Sequence, residues 1–196
     1  MNEKTKLLEA IAGTNRGLLA TEKDNVRVLT AIEQLEDRNS TLNPLEKRDW
    51  LEGDWRLLYT NSRGILGLNR IPLAQLGQIY QCIRLGETKI YNIAEIVGIP
   101  FLEGIVSVVA RFEPIGERRV NVKFERSILG LQRLIGYRTP SHFVQEIEMG
   151  KKFVSVDFNI ENREQQGWLE TTYLDEDLRV GRGNEGNVFV LAKEKS

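Results

Sequence analysis

The two side chains best suited to nucleophilic chemistry occur once each in this sequence of 196 residues, as His142 and Cys82. Nucleophilic catalysis needs a nucleophile beside a general base that a third group orients, and neither residue lies in a known motif of that kind. Residues 139–143, TPSHF, are more typical of a turn leading into a strand. We therefore predict that the protein is not an enzyme; a Ser-His-Asp assembly built on His142 is the alternative.

Two further sequence patterns match part of a known ligand-binding motif but lack the spacing or the neighbouring elements that such a site needs. Asp175, Glu176 and Asp177 are consecutive, so they lack the spacing of an EF-hand loop and cannot all converge on one ion. Residues 181–186, GRGNEG, match the glycine pattern of dinucleotide-binding proteins, but no βαβ unit follows them. We predict a solvated turn at the carboxylates, and we expect no metal and no organic cofactor.

Charge and composition restrict the classes of partner. The chain has 27 basic and 28 acidic residues, a net charge of −1, so no overall field attracts nucleic acid. Between Arg111 and Arg138, seven basic residues stand against three acidic ones, a local net of 7 − 3 = +4. If these bases share one face, they would attract an anionic membrane surface or a diphosphate group. The alternative is that they are ordinary solvated strand positions, which would attract neither. The longest apolar stretch, residues 96–110, contains Glu103 and is too short to cross a bilayer as a helix.

Apolar periodicity predicts a short helical segment followed by a β-domain. Residues 3–12 and 24–38 have the apolar spacing of helices, and a third helix is expected at residues 44–51. From Trp55 onward, apolar residues alternate with polar ones, as in half-buried antiparallel strands. Strands are expected at residues 55–60, 78–84, 89–96, 105–112, 120–125, 154–160, 168–174, 178–182 and 188–193.

Eight or nine short antiparallel strands predict a closed barrel that can hold one small ligand. A two-sheet sandwich is the alternative. We assign residues 1–52 to a helical segment that packs on the barrel and residues 53–196 to the barrel itself. The fold class is therefore mainly β.

Two segments at the ends of the β-domain carry a family resemblance. Residues 53–60, GDWRLLYT, and residues 170–191, which contain a tight turn at residues 184–187, together resemble the plastid lipid-associated protein family, also called fibrillins or plastoglobulins. The resemblance extends from roughly residue 45 to the end. It implies a lipocalin-like barrel and non-enzymatic binding of a hydrophobic ligand, a prenylquinone, carotenoid or related isoprenoid, at the thylakoid membrane or at lipid bodies.

The middle of the chain adds an alternative function. Residues 67–72 and 76–83 are similar to the family branch linked to plastoquinone biosynthesis, which implies an interaction module that assists a long-chain prenyl diphosphate synthase. The first residues resemble neither a secretory signal nor a Ser/Arg-rich transit peptide. We therefore expect a cyanobacterial protein, cytoplasmic or peripherally bound to the thylakoid, or a trimmed plant protein of the plastid stroma or plastoglobule.

The resemblance also implies a structural pairing at one end of the barrel. In lipocalin-like barrels, a Gly-x-Trp sequence on the first strand places the indole across one end, and an arginine from the last strands packs over it. Gly53 and Trp55 are similar to that sequence, with Arg179 or Arg182 as the arginine. The stacked guanidinium would have a structural role, and binding of a ligand head group by the arginine is the alternative.

Ligand contacts are expected from the apolar members of the alternating strands. Two apolar segments broken by glycine or proline, residues 61–76 and 128–137, are expected to be lids at the barrel mouth or loops packed on the core. The predicted ligand-binding residues are Val120, Val122, Phe124, Val154, Val156 and Phe158 inside the barrel, and Ile65, Leu66 and Leu68 at the mouth.

Overall fold

The computed structural model describes residues 2–70, 74–98, 100–160 and 166–195. These ranges contain six α-helices and short 3₁₀ turns at Pro44–Glu46, Gly67–Arg70 and Asn184–Gly186. The helices are α1 (Glu3–Ile11), α2 (Glu22–Glu36), α3 (Arg48–Leu51), α4 (Arg63–Leu66), α5 (Gln132–Ile135) and α6 (Pro140–Glu148). None of the helices in the described ranges is long and apolar enough to span a bilayer.

The same ranges contain nine strands that form one antiparallel sheet in the order β4-β3-β2-β1-β9-β8-β7-β5-β6. Strands β4 and β5 also pair along their length, so the sheet closes on itself as a barrel. The expected mainly β, lipocalin-like fold is confirmed. The strands are β1 (Gly53–Thr60), β2 (Ala74–Arg84), β3 (Lys89–Gly98), β4 (Gly104–Pro114), β5 (Arg119–Leu131), β6 (Val156–Asn159), β7 (Gln166–Leu174), β8 (Leu178–Gly183) and β9 (Val188–Lys193).

Strand β5 has two different neighbours along one edge. Its first half, from Arg119 to Lys123, pairs with β7. Its second half, from Arg126 to Leu129, pairs with the short strand β6. The strand that flanks β5 therefore changes from β7 to β6 after Lys123. Strand β7 completes the eight-stranded ring, and β6 lies outside it.

Buried apolar residues form one cluster inside the barrel and two on its outer surface. The inner cluster includes Trp55 and inward-facing residues of most strands. Helices α1 and α2 cover the outer face of β8 and β9, where they bury Val180 and Val190. Helix α6 covers the outer face of β2 to β5, where it buries Tyr91 and Ile93. Because helices cover the outside in two places, residues on both faces of the strands are buried there.

The TPSHF segment begins a helix and is not the expected turn and strand. Thr139 has an extended backbone, and its side chain accepts a hydrogen bond from the His142 amide. Pro140 then occupies the first helical position, where its missing N–H costs nothing. The prediction was wrong because a Thr-Pro pair starts helices as well as turns. Packing of Phe143 and Ile147 against the barrel decides between them.

The expected third helix, residues 44–51, is divided in two. Lys47, with φ −82° and ψ 63°, separates the 3₁₀ turn at Pro44–Glu46 from α3. Leu51 at the end of α3 is buried in the inner cluster, and Leu45 and Trp50 pack against it. This segment therefore covers one end of the barrel.

Candidate ligand site

Trp55 closes the end of the barrel that α3 covers. Its side chain is 0% exposed, and its indole Nε1 donates a hydrogen bond of 2.9 Å to the Leu51 carbonyl. The Arg179 guanidinium lies 5.1 Å from the ring centroid and the Lys193 amine 5.4 Å, which are cation–π distances. The Lys193 amine also donates to two backbone carbonyls in the α3 segment. These contacts join α3 to β1, β8 and β9.

Arg179 is buried inside the barrel, with an exposure of 2%. It donates a hydrogen bond to Gln81, whose amide in turn donates to Asn92 at 3.0 Å. Burial lowers the pKa of Arg179 to about 9, so the guanidinium still carries its proton at neutral pH. The Trp55 ring and the Gln81 oxygen stabilise this charge in an otherwise apolar interior.

Arg182 and Gly53, the other two residues predicted at this barrel end, do not stack on the Trp55 ring. Alternation along β8 turns Arg182 to the outer face, where it forms a bidentate ion pair of 2.7 and 2.9 Å with Glu36 of α2. It therefore does not pack on Trp55, and Arg179 takes that place. Gly53 begins β1 with a φ of +126°, and a Cβ there would lie 3.1 Å from Cε of Lys193. Gly53 thus allows the lysine to reach the Trp55 end.

The predicted ligand-binding residues of β5 lie inside the barrel. Val120 and Val122 are buried in the inner cluster, and Phe124 is partly buried against it. The free space that Val120 and Arg179 border measures only about 20 Å³, which is room for about one water molecule. Side chains therefore fill the barrel around Val120 and Arg179, near the Trp55 end.

The predicted residues of the β6 region are not buried in the interior. Val154, Val156 and Phe158 are 69%, 60% and 52% exposed. Val156 pairs with Leu129, and Leu129 pairs with Val106, which packs on the inner cluster. Paired residues share a face, so Val156 and Phe158 belong to the inner face of the sheet. Because β6 lies outside the closed ring, no opposite wall in the described part of the chain covers their side chains. Val156 and Phe158 thus have the expected inward orientation but are not covered, because alternation assigns a face and does not determine what covers it.

Helix α4 and the 3₁₀ turn after it form a lid over the other end of the barrel. Ile65 and Leu68 pack against the inner cluster, and Leu66 is partly buried. Trp55 lies near the start of β1, and the strand ends at Thr60, about 17 Å further along the strand. The lid and Trp55 therefore close opposite ends.

The second segment expected at the mouth, residues 128–137, has a different position. Ile128 and Ile135 are buried on the outer surface of the barrel with α6. Tyr137 packs edge-on against Phe143, at a centroid distance of 5.8 Å. Ile128, Ile135 and Tyr137 are therefore packed on the outer core, which was the alternative to a lid, whereas Leu129 faces inward beside Val106.

A cleft of about 570 Å³ lies beside the lid. Its polar lining includes Arg16 and Glu95, and its apolar lining includes Leu18 and Leu76. Leu76 belongs to the inner cluster and Leu18 packs against it, so the cleft borders the lid end of the barrel. Glu95 pairs with Ile105 of the outer cluster, so its side chain lies on the outer face of β3. Sequence reasoning missed the cleft because its walls come from the α1–α2 loop, the lid, β2 and β3, which only folding brings together.

The candidate catalytic side chains do not form a relay. Nδ1 of His142 lies 3.8 Å from the Glu146 carboxylate on the same helix, whereas Ser141 donates to Asp54. Adjacent residues of a helix point in different directions, so these groups do not converge. Burial raises the pKa of the Cys82 thiol, which stays protonated. The described part of the chain contains no group of three potential metal ligands.

Three of the seven basic residues in the segment 111–138 form ion pairs within the described part of the chain. Two of the carboxylates that pair with it lie outside the segment in sequence, so the local count of +4 overstated the charge. The ion pairs are Arg111–Glu125 at 2.8 Å, Arg119–Glu170 at 2.6 Å and Arg126–Asp157 at 2.5 Å.

Comparison with known proteins places this architecture in a family. The PAP_fibrillin family model matches residues 1–192. The chain belongs to the PAP_fibrillin family. The match includes α1 and α2, so the resemblance extends further towards the N-terminus than the sequence motifs from residue 45 onward had indicated.

Curated relatives of this PAP_fibrillin protein are plant plastid proteins. The plastid-lipid-associated protein of Citrus unshiu is 32% identical over 222 residues, covering 100% of this chain and 68% of the relative. The light-induced chloroplastic protein of Solanum tuberosum is 33% identical, covering 98% and 67%. The chromoplast-specific carotenoid-associated protein of Cucumis sativus is 31% identical, covering 98% and 68%. No solved structure is a significant match.

Proposed function

We propose that this protein binds a hydrophobic isoprenoid, a prenylquinone or a carotenoid, without changing it chemically. The observation that carries the proposal is the uncovered inner face at the lid end, where Leu129, Val156 and Phe158 are 46%, 60% and 52% exposed. A contiguous apolar surface of this kind marks a ligand or partner site in many soluble proteins. The names of the relatives, plastid-lipid-associated and carotenoid-associated, support this class of ligand.

The ligand is held at the lid end of the barrel, since side chains fill the space around Val120 and Arg179 near the Trp55 end. Its chain lies along the inner face of β5 and β6 and under the lid residues Ile65 and Leu68, which are only partly buried. An outward movement of α4 would add Val122 and Phe124 to the contact surface. Each 100 Å² of apolar surface that the ligand covers contributes about 2.5 kcal/mol before the costs of association.

The same end of the barrel is suited to contact a lipid surface. Phe101 and Leu102, in the turn between β3 and β4, are 72% and 56% exposed, and the Arg133 guanidinium lies 6.0 Å from the Phe101 ring centroid. An exposed aromatic ring beside a cation is well suited to a membrane interface. A ligand could then pass between the lipid and the open inner face. The relatives are chloroplastic or chromoplastic, so we propose a thylakoid or lipid-body surface, in a plastid or a cyanobacterium.

The first experiment is to purify the protein natively, extract it with organic solvent and identify the extracted lipids by mass spectrometry. Isoprenoid binding by the lipid-free protein is then titrated for two variants, Val156→Gln and Val26→Gln. The two valines are matched, because Val156 is 60% exposed and Val26, on the outer side of α2, is 61% exposed. Neither change should unfold the protein.

We expect Val156→Gln to weaken the binding of a decyl-substituted benzoquinone and Val26→Gln to leave it unchanged. Equal affinities of the two variants would place the ligand elsewhere. No extracted lipid and no saturable binding would overturn the isoprenoid proposal. Co-purification of a prenyl diphosphate synthase with that result would favour the interaction-module function instead.

A further inference from the structure

The cleft beside the lid combines an apolar side with hydrogen-bonding groups of both kinds. Leu18 lines the cleft and packs against the inner cluster, so the cleft borders the barrel mouth. Its other walls contain the guanidinium of Arg16, the carboxylate of Glu95 and the side-chain amides of several asparagines and glutamines, among them Gln75. Its volume, about 570 Å³, is in the range of small-molecule sites. Such a lining fits the polar end of an amphipathic ligand whose apolar tail continues into the barrel mouth.

Arg16 has hydrogen-bonding capacity to spare. One terminal nitrogen donates to the Leu76 carbonyl at 2.7 Å, which fixes the guanidinium on the wall of the cleft. Nε is shielded from solvent and has no hydrogen-bond partner among the described residues. Burial and the neighbouring Arg56 lower the pKa of Arg16. The shielded Nε is therefore out of reach of a ligand, whereas the second terminal nitrogen donates to none of the described residues and can donate to an acceptor oxygen in the cleft.

The loop that presents Arg16 is held in an uncommon backbone conformation. Asn15 and Arg16 have φ angles of 47° and 61°, in the left-handed region that non-glycine residues rarely adopt. The Arg16 carbonyl accepts a hydrogen bond from the Thr60 amide, at the end of β1. Gly17 approaches Thr60 so closely that a Cβ would lie 2.1 Å from the carbonyl oxygen. Backbone strain of this kind is typical of functional sites, where the loop must hold a side chain in one orientation towards a ligand.

The opposite wall is also specifically arranged. Glu95 accepts a hydrogen bond of 2.9 Å from the Tyr137 hydroxyl, which orients its carboxylate. Gly77 lies across from it on β2, and a Cβ at this position would be only 3.0 Å from Cβ of Glu95. The cleft therefore offers a cation to acceptor oxygens and a carboxylate to hydroxyl groups. The carboxylate makes the site unsuitable for a strongly anionic group.

We propose that this cleft is the head-group subsite for an isoprenoid whose ring bears carbonyl or hydroxyl oxygens, with Arg16 as the donor to a ring oxygen. The proposal rests on the proposed function and makes it more specific. The subsite selects oxygenated isoprenoids, such as quinones and hydroxylated carotenoids, over hydrocarbons with the same tail. Arg16 is a specificity residue, and the apolar mouth supplies the affinity that both kinds of ligand share.

The test compares decyl-substituted benzoquinone with decylbenzene, which has the same ring and tail but no oxygen. Bound ligand is measured by equilibrium dialysis and mass spectrometry. We expect the quinone to bind roughly 10- to 100-fold more tightly, the factor that a hydrogen bond to a charged donor provides. Arg16→Asn should remove this preference, since asparagine tolerates the left-handed backbone but lacks the guanidinium.

Two further variants separate the role of Arg16 from an effect on folding. Arg38→Asn changes an arginine that is 74% exposed and should keep the full preference for the quinone. Arg16→Lys keeps the charge without the fork of N–H donors and should reduce the preference only in part. If Arg16→Asn fails to fold by circular dichroism, the lysine variant decides the question.

The outcomes distinguish this inference from the proposed function. If both ligands bind equally to the natural chain, or if neither Arg16 variant reduces the preference, the head-group subsite is refuted and isoprenoid binding stands. If neither ligand binds, the proposed function fails and the subsite fails with it.

Discussion

Replacement of Trp55 by alanine should destabilise the protein more than almost any other single substitution. The indole is fully buried, contacts the cations of Arg179 and Lys193, and donates to the Leu51 carbonyl. A buried Trp→Ala change costs about 3 to 5 kcal/mol. We expect the upper end of this range, because the change also leaves the buried Arg179 without its aromatic neighbour.

The chain provides a matched control in Trp168 on β7. Trp168 also has an arginine over its ring, with Arg119 at 4.3 Å from the centroid, but it is only partly buried. Trp168→Ala should cost about 1 kcal/mol. For a chain of this length, the melting temperature should fall by roughly 6 to 20 °C for Trp55→Ala and by roughly 2 to 4 °C for Trp168→Ala.

Urea and thermal unfolding are followed by far-ultraviolet circular dichroism, because both changes remove a fluorophore. The denaturation midpoints give the free energies of unfolding if the slope with denaturant is the same. Equal losses for the two variants, or a loss below about 1 kcal/mol for Trp55→Ala, would refute the assignment of Trp55 as the residue that closes the barrel end.

Gly17→Ala should lower the melting temperature strongly, because its Cβ would lie 2.1 Å from the Thr60 carbonyl oxygen, whereas Gly116→Ala, with no atom within 4 Å, should not. Asp157→Asn should destabilise the protein at neutral pH, and its effect should decrease in acid. Hydrogen bonds from its arginine partner hold the pKa of Asp157 below its ordinary value. The Asp157 carboxylate therefore adds to the free energy of unfolding above its unfolded pKa of about 3.9, and this stabilisation is lost as the pH falls through its folded pKa. His142→Ala should leave isoprenoid binding unchanged, because the adjacent Ser141 hydrogen-bonds to Asp54 at the start of β1, at the end opposite the lid, and the imidazole forms no relay.

Thermal melts at two pH values and the dialysis assay check these three expectations. Equal melting temperatures for the two glycine variants would mean that the α1–α2 loop does not approach β1 closely. An Asp157→Asn effect that persists in acid would assign its cause to packing. Loss of any activity in a folded His142→Ala variant would refute the non-enzymatic assignment.

The strand pattern could be predicted from the sequence because alternation is a local property. Trp55, Leu57 and their equivalents in later strands repeat at a period of two wherever one face is covered, and the nine expected strands have counterparts in the sheet. The terminal arginines were recognised, but the sequence left Arg179 and Arg182 as equal candidates. Alternation along β8 decides for Arg179, once the inner face of that strand is known.

The sequence by itself determined the class of fold, the approximate position of each strand and the family. Tertiary structure alone decided which surfaces are covered. Val122 and Val156 have the same alternating pattern, yet one is buried and the other is 60% exposed, because β7 completes the ring at Val122 while β6 lies beyond it. The cleft around Arg16 depends equally on long-range pairing, since four distant segments form its walls. Burial depends on which segments meet in space, and a local pattern does not contain that information.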